Sequence, residues 1–411
     1  MGTSRVISIS DASRKGQQMN HQKTAYEVEL ERIDDAIARI AGESVGVSLD
    51  GERETKHVYL LYQRASLTGN LKELADVEVV LNDAIRKIGP AGDLYFLKAN
   101  LDFKFHRLSD VRGDLERGRD LPNSLLGRAL LADLDFQEGR YDAARKGYET
   151  AILDNPTWDN FARLGYLKYT LGDFAGAEQC YIDAEDELTA KELRHYAWVE
   201  LQRGVLDLRS GQWENARAHY RVAELAYSGY WLVDEHIAEL LGAQGKYDEA
   251  VALYESVIER VPRPEFQQAL GELYLAMGQS DFAEIWSQKA VAAYLESAHS
   301  GGVHYYHHLT DFYADVREDG AEAVKWARKD LALRRNPSTL AALAWALYRA
   351  GEFAEALDAI KESLASGASD AQLFYKAGMI HQSARRNGMG EEYLRKAAEL
   401  NPHYQNFHVH R

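Results

Sequence analysis

The sequence has little of what disulfide-bonded, membrane-spanning or strand-rich proteins require. Its single cysteine, Cys180, excludes an intramolecular disulfide and a metal cage made of thiolates alone. No segment approaches the roughly 18 consecutive apolar residues of a membrane span, and the first 22 residues lack the apolar core of a signal peptide. Only 7 prolines interrupt 411 residues. We therefore expect an all-α protein of the cytoplasm, with no membrane partner.

Positive charge is also scarce. The chain carries 48 Lys and Arg against 64 Asp and Glu, a formal charge of −16, and no local stretch concentrates basic residues. Such a field repels nucleic-acid phosphates. Apolar residues reach 46%, which is sufficient for a substantial core. The composition predicts a folded protein that does not bind nucleic acid.

Catalytic signatures are missing as well. The sequence contains no Gly-x-Gly-x-x-Gly, no phosphate-binding Gly-x4-Gly-Lys-Ser/Thr, no Gly-x-Ser-x-Gly and no His-Glu-x-x-His. Cys180 lies in an apolar helical stretch, as a small packing residue would. We therefore expect neither an enzyme nor a bound cofactor.

What the sequence does contain is a repeated motif: a glycine, an aromatic residue two positions later, then an alanine and usually a tyrosine at fixed offsets. Its clearest copies are GRYDAARKGYETAILDNP from Gly139, GDFAGAEQCYIDA from Gly172, GQWENARAHYRVA from Gly211 and GKYDEAVALYESVIERVP from Gly245. Weaker copies occupy equivalent positions at Gly69, His106, Gly278, Glu318 and Gly351, and a last copy follows near the carboxy terminus. Ten units of 33 to 40 residues fit the chain.

Elementary packing rules explain this motif. The glycine supplies the left-handed conformation that ends a first helix, and the alanine of the second helix allows its partner to approach closely. Neither helix of a unit can bury its apolar stripe alone, so neighbouring units must stack into one continuous core. The repeat predicts a solenoid of stacked antiparallel helix pairs.

From about residue 55 to residue 402 the chain resembles the tetratricopeptide-repeat family. One unit shows Leu164 and Gly165 in its first helix, then Gly172, Ala177 and Tyr181. The resemblance implies a right-handed α-solenoid that acts as a protein-interaction scaffold or adaptor. We expect a disordered segment at 1–22, a capping helix and linker at 23–53, the repeats at 54–402 and a tail at 403–411.

Both ends of the repeat region carry further signals. Thr24 and Glu27 form a capping-box pattern that begins the predicted capping helix. After Pro402 too few residues remain for the polar helix that usually covers the last apolar face of a solenoid. Either Tyr404, Phe407 and Val409 fold back as a lid, or the uncovered end pairs with a second copy of the chain as a homodimer.

The resemblance also implies that fixed positions of the first helices line a concave groove. The residues at these positions that we expect to contact a partner are aromatic or acidic: Tyr166, Glu235, Glu239, Glu272, His308, Phe312, Trp345 and Tyr375. Aromatic rings provide anchors, and a carboxylate cluster attracts cations. We therefore expect a protein or peptide partner of basic character. The Lys and Asn clamp of chaperone-binding members is absent apart from Lys56 and Asn100.

Two other interpretations of these residues remain open. Glu235, Glu239, Glu272 and His308 could form a binding surface for a metal or another small cation, and His304 and His308 share a helical face four residues apart. A pair of histidines is nevertheless an incomplete metal site. The carboxylates could also be solvated helix residues, with Trp345 packed against its neighbouring unit.

Overall fold

The computed structural model describes residues 23–42, 51–89, 91–385 and 387–409. The segment 1–22, for which the sequence predicts disorder, and the last two residues lie outside this part of the chain. Within the described residues the regular structure is helical, without strands. None of the described helices has the combined length and apolar character needed to cross a membrane.

Helix α1 stands before the repeats, and the following twenty helices form pairs. The helices are α1 (Ala25–Gly42), α2 (Gly51–Thr68), α3 (Leu71–Ile88), α4 (Gly92–Lys104), α5 (Leu108–Arg117), α6 (Leu125–Gln137), α7 (Tyr141–Asp154), α8 (Trp158–Thr170), α9 (Phe174–Asp186), α10 (Leu193–Arg209), α11 (Trp213–Ala226), α12 (Trp231–Ala243), α13 (Tyr247–Arg260), α14 (Pro264–Ala276), α15 (Ser280–His299), α16 (Tyr306–Asp311), α17 (Gly320–Leu333), α18 (Pro337–Arg349), α19 (Phe353–Ala365), α20 (Ala371–Ser383) and α21 (Asn387–Leu400).

Each pair from α2/α3 to α20/α21 is one hairpin, and we number these hairpins units one to ten. The two helices of a unit pack on each other more extensively than on the next unit, and consecutive units stack. In unit four, Gly165 permits this close packing, because a Cβ atom there would lie 3.3 Å from the ring of Tyr181. Cys180 is buried beside it and forms no disulfide. The predicted all-α solenoid is confirmed.

The turn inside each unit requires a left-handed backbone. Gly139, Gly172 and the other glycines of the motif have φ between 66° and 81°. Where the motif lacks glycine, the replacing residue adopts the same conformation: φ is 59° at His106, 53° at Glu318 and 58° at Arg385. The fold therefore imposes the turn even where the side chain makes it costly.

Helix α1 begins with the expected capping box. The amide of Thr24 donates to Oε2 of Glu27 at 2.8 Å, and the amide of Glu27 donates to Oγ1 of Thr24 at 3.2 Å. The start of α1 also contacts a distant part of the chain, because the amide of Tyr26 donates to the carbonyl of Ser228 at 3.1 Å. Helix α2 begins at Gly51, three residues before the expected start of the repeats.

Successive turns of the solenoid contact each other, which the repeat pattern does not predict. The turn of unit three meets the start of unit nine, where Nδ2 of Asn336 donates to the carbonyl of Gln137 at 2.8 Å. The turn of unit four meets the start of unit ten, where the amide of Ser369 donates to the carbonyl of Thr170 at 3.1 Å. Each contact joins units that lie six apart. The solenoid is therefore closed on itself at these contacts.

Candidate functional site

Glu235 and Glu239 lie one turn apart on α12, and both are buried, with 1% and 2% of their surface exposed. Glu235 accepts a hydrogen bond from the hydroxyl of Tyr254 at 3.2 Å and lies 2.7 Å from Nδ1 of His236. Burial alone would lower the pKa of His236, but the charge of Glu235 and its hydrogen bond raise that pKa to about 9. Glu235 is therefore a buried carboxylate compensated by its own unit.

Glu239 is compensated by the tail of the chain. Its Oε1 lies 2.6 Å from Nδ1 of His408 and accepts a hydrogen bond from the amide of Val409 at 3.1 Å. His408 also contacts the guanidinium of Arg209 at the end of α10. A backbone amide and an imidazole thus converge on one carboxylate that the sequence marks as a groove position.

The rest of the tail follows the same surface. The ring of His403 stacks on Trp213 with centroids 3.9 Å apart, and Nδ2 of Asn406 donates to the carbonyl of Ala243 at 2.9 Å. Phe407 packs on Gly242, where a Cβ atom would be 2.4 Å from its ring. We call residues 403–409 the docked tail.

At its start the docked tail also contacts unit ten. The carbonyl of Tyr404 accepts from Nε2 of Gln372 at 2.6 Å, and its ring lies 5.6 Å from that of Tyr375. Of the two alternatives that the sequence left open, the structure shows the tail folded back. Phe407 and Val409 pack against the core of units six and seven.

Glu272 and His308 lie further along the same inner side. Glu272 accepts from Nε2 of Gln268 at 2.9 Å, and Gln268 in turn accepts from the hydroxyl of Tyr294 at 3.0 Å. The ring of His308 stacks on Tyr294, with centroids 5.5 Å apart. Burial lowers the pKa of His308 to about 4, so its imidazole is neutral at pH 7. These side chains form a packed polar layer.

Phe312 and Trp345, two of the predicted groove residues, are buried, and Trp345 packs against its neighbouring unit, as the alternative interpretation supposed. Phe312 begins a π-helical turn, Phe312–Val316, in which the amide of Arg317 donates to its carbonyl at 3.0 Å, and its ring is fully buried among those of unit eight. Trp345 is 6% exposed, and its Nε1 donates to Asp315 at 2.9 Å. Both rings therefore lie in the core instead of the groove.

The side chains of Tyr166 and Tyr375 are more exposed to solvent. Tyr166 is 47% exposed, and its ring lies 5.3 Å from Phe136 and 6.0 Å from Tyr169. Tyr375 is half-buried, with its ring 5.9 Å from that of Trp345. Of the eight predicted groove residues, Tyr166 is the large aromatic side chain that remains well exposed.

The histidines of unit eight do not converge on a common point. His304 packs on Tyr305 and His106, with centroid distances of 4.1 and 5.6 Å, whereas His308 faces Tyr294. Among the described residues no group of three or more His, Cys, Asp or Glu side chains is arranged to hold a metal ion. The positions of the four residues in the small-cation alternative give it no support.

Sequence reasoning missed a cavity between turns of the solenoid. Its volume is about 330 Å³, and it lies between units four, five, eight, nine and ten and the end of the docked tail. Lys376, on α20, lines it and is 8% exposed. The sequence does contain a sign of an unusual lysine. Lys376 occupies the same repeat position as Arg163 and His236, but no carboxylate lies within one helical turn of it along the sequence. Arg163 and His236 each have carboxylate partners.

The geometry places this protein in the class of α-solenoids built from helical hairpins. Models of the tetratricopeptide repeat match residues 237–297, within units six and seven, and residues 371–404, which span unit ten. These matches show that the chain contains tetratricopeptide repeats, and the ten stacked hairpins are consistent with them.

Several solved structures are similar, and the likeness concerns the fold alone. A tetratricopeptide repeat protein from Parabacteroides merdae has 18% identity over 59% of this chain and 93% of its own, with a TM-score of 0.37. The Cut9-Hcn1 structure of the APC/C has 16% identity over 92% of this chain and 80% of that one, with a TM-score of 0.44. MamA has 18% identity over 41% and 96%, with a TM-score of 0.33. No curated protein sequence matches this chain.

Proposed function

We propose that the protein is an interaction scaffold that binds a short segment of a partner protein along α10 and α12. The observation that carries this proposal is the docked tail, which already occupies that surface as a short segment with turns at its start. An imidazole, a backbone amide and an aromatic ring of the tail meet Glu239 and Gly242. A partner segment with the same chemistry would make the same contacts.

The contacts of the tail define the expected partner segment. Gly242 leaves room for an aromatic ring, and the buried carboxylate of Glu239 favours a cationic side chain one residue later. The carbonyl of Ala243 provides an acceptor for a polar side chain before the aromatic residue. The partner is therefore a basic segment with one aromatic anchor, in agreement with the expectation from the sequence.

Binding of the isolated tail sequence tests this proposal. A labelled peptide of residues 401–409, NPHYQNFHV, is titrated with the wild type and with Phe407→Asp, and fluorescence anisotropy is measured. The new carboxylate beside Glu239 should release the tail, so the peptide should bind this variant at least about tenfold more tightly than it binds the wild type.

A second substitution checks the site. Glu239→Gln in the Phe407→Asp background should remove peptide binding, whereas Glu249→Gln, which changes an exposed carboxylate on α13, should leave it unchanged. A peptide with Lys in place of His408 should bind more tightly, and one with Glu there should not bind. If the Phe407→Asp variant keeps its melting temperature yet ignores the peptide, the proposal is wrong.

A further inference from the structure

The cavity between turns, which we call the inter-turn cavity, combines a buried cation with apolar rings. About 330 Å³ in volume, it falls at the lower end of the range for small-molecule sites, roughly 300–1,000 Å³. The polar side chains of its lining that bear on a ligand are Tyr166, Tyr169, Arg209, Ser338, Gln372 and Lys376. They come from four different units, so the cavity exists because the solenoid is closed.

Lys376 is the unusual member of this lining. More than nine-tenths of its surface is buried, and within the described residues its ammonium group has no hydrogen-bond or ion-pair partner. The partly buried Lys98, by contrast, is compensated: its Nζ lies 2.8 Å from Asp102 and 3.0 Å from Asp114. Because this ammonium group lines the cavity and has no carboxylate beside it among the described residues, an anion bound in the cavity would form an ion pair with it.

Two helices begin at the same cavity. Ser338 and Gln372 are the second residues of α18 and α20, where backbone amides have no acceptor inside the helix. The capping side chains of these helices accept hydrogen bonds from the amides of Thr339 and Leu373. The amides of Ser338 and Gln372 are not capped in this way. Two helix amino termini therefore add partial positive charge and amide donors to the ammonium of Lys376.

The acidic side chains of the lining do not cancel this charge. Asp311 lies 3.3 Å from Nε2 of His307, and both Asp311 and Asp330 raise the pKa of that imidazole against the effect of burial. Asp370 caps α20 by accepting from the amide of Leu373 at 2.9 Å, and its charge acts on Arg209, whose pKa it raises against the effect of burial. Each carboxylate has a partner of its own, whereas Lys376 has none in the described part of the chain.

We propose that the inter-turn cavity binds a small molecule with a phosphate group, which pairs with Lys376 at the starts of α18 and α20. Its organic part lies against the rings of Tyr166 and Tyr169, whose centroids are 6.0 Å apart. Both hydroxyls lack partners in the described structure and can donate to the ligand. The docked tail borders this site, because Val409 lines the cavity and the lining residue Gln372 donates to the carbonyl of Tyr404.

Calorimetric titration with phenyl phosphate tests the proposal, with inorganic phosphate as the second probe. The wild type should bind phenyl phosphate saturably and more tightly than inorganic phosphate, because only the ester contacts the tyrosine rings. Lys376→Met should weaken binding at least about tenfold. Lys361→Met, which removes an exposed lysine of α19, should not change it.

A second variant guards against misfolding. Ser338 is exposed at the second position of α18, where a carboxylate is favourable for the helix, so Ser338→Glu should fold normally and place a competing anion in the cavity. It should abolish binding while Lys376 remains. Absence of saturation in the wild type up to about 10 mM, or equal binding by Lys376→Met, overturns the proposal. Equal affinity for both probes overturns the role of the tyrosine rings.

Discussion

The indole Nε1 of Trp231 donates a buried hydrogen bond of 3.0 Å to the carbonyl of Leu67, 164 residues earlier in the chain. Trp231 begins unit six, and Leu67 lies at the end of the first helix of unit one. The same indole fills the space above Gly69, where a Cβ atom would be 2.5 Å from it. One side chain therefore joins two turns of the solenoid at its amino-terminal end.

Trp231→Phe should destabilise the protein by about 1–3 kcal/mol, because the carbonyl of Leu67 is left buried without a donor. Urea unfolding followed by circular dichroism measures this loss. Trp286→Phe is the matched control, since the indole of Trp286 has no hydrogen-bond partner in the described structure and stacks under Lys289 instead. Equal losses in the two variants would contradict a role for the bond to Leu67.

Gly139→Ala should cost more stability than Gly351→Ala. Both glycines have left-handed φ, 77° and 81°, so each substitution costs about 1 kcal/mol for the backbone conformation. A Cβ atom at Gly139 would also lie 2.9 Å from the carbonyl of Arg335 in unit nine, whereas one at Gly351 meets nothing within 4 Å. We expect an additional loss of about 1–3 kcal/mol at Gly139. A difference near zero would mean that the two turns are not in contact in solution.

Acid should weaken the contact between units two and eight. Burial lowers the pKa of His106 to about 3 and also lowers the pKa of His304, so the two rings are packed in neutral form. Arg334 and Arg263 reinforce these shifts, while Asp330 and Glu265 oppose them. Below the ordinary histidine pKa of about 6.5, the unfolded chain takes up protons that the folded chain does not. Stability contributed by these rings is therefore present above pH 6.5 and is lost as the pH falls toward 3.

Melting temperatures measured from about pH 7.5 to 4.5 test this prediction, because this interval includes the pH at which an ordinary histidine titrates. The wild type should lose stability with a slope of up to about 1.4 kcal/mol per pH unit for each histidine. His106→Asn, which suits the left-handed backbone, should reduce the slope, and His299→Gln on the exposed end of α15 should not. Parallel curves for wild type and His106→Asn would show that this junction does not respond to pH.

Contacts between neighbouring units could be predicted from the sequence, because they repeat. The turn glycines, the small residue Gly165 and the capping box of Thr24 and Glu27 each satisfy a local requirement of backbone or packing. Even Glu318 falls at a predicted turn position and has φ of 53°.

Contacts between successive turns of the solenoid could not be predicted, because a repeat pattern reflects only the packing within a unit and between neighbouring units. The left-handed turn at the end of α8 is sufficient to explain a glycine at position 172. The residue type of Gly172 therefore gives no sign that Ser369 packs against it. The buried state of Glu239 likewise depends on a tail that lies outside the repeats. Tyr166 and Lys376 could each be assigned to a repeat position, but not their meeting at one cavity from units six apart.

Closure after six units also fixes how many units the protein can have. In an open solenoid each hairpin depends on its neighbours, so one hairpin can be inserted or deleted with a local cost, and the ends unfold first. Here the removal of one unit would shift every later unit against the previous turn, and Asn336 would no longer meet Gln137. Because each turn of the array is bound to the next, the array should resist extension along its axis. It should also unfold as one cooperative body instead of fraying from its ends.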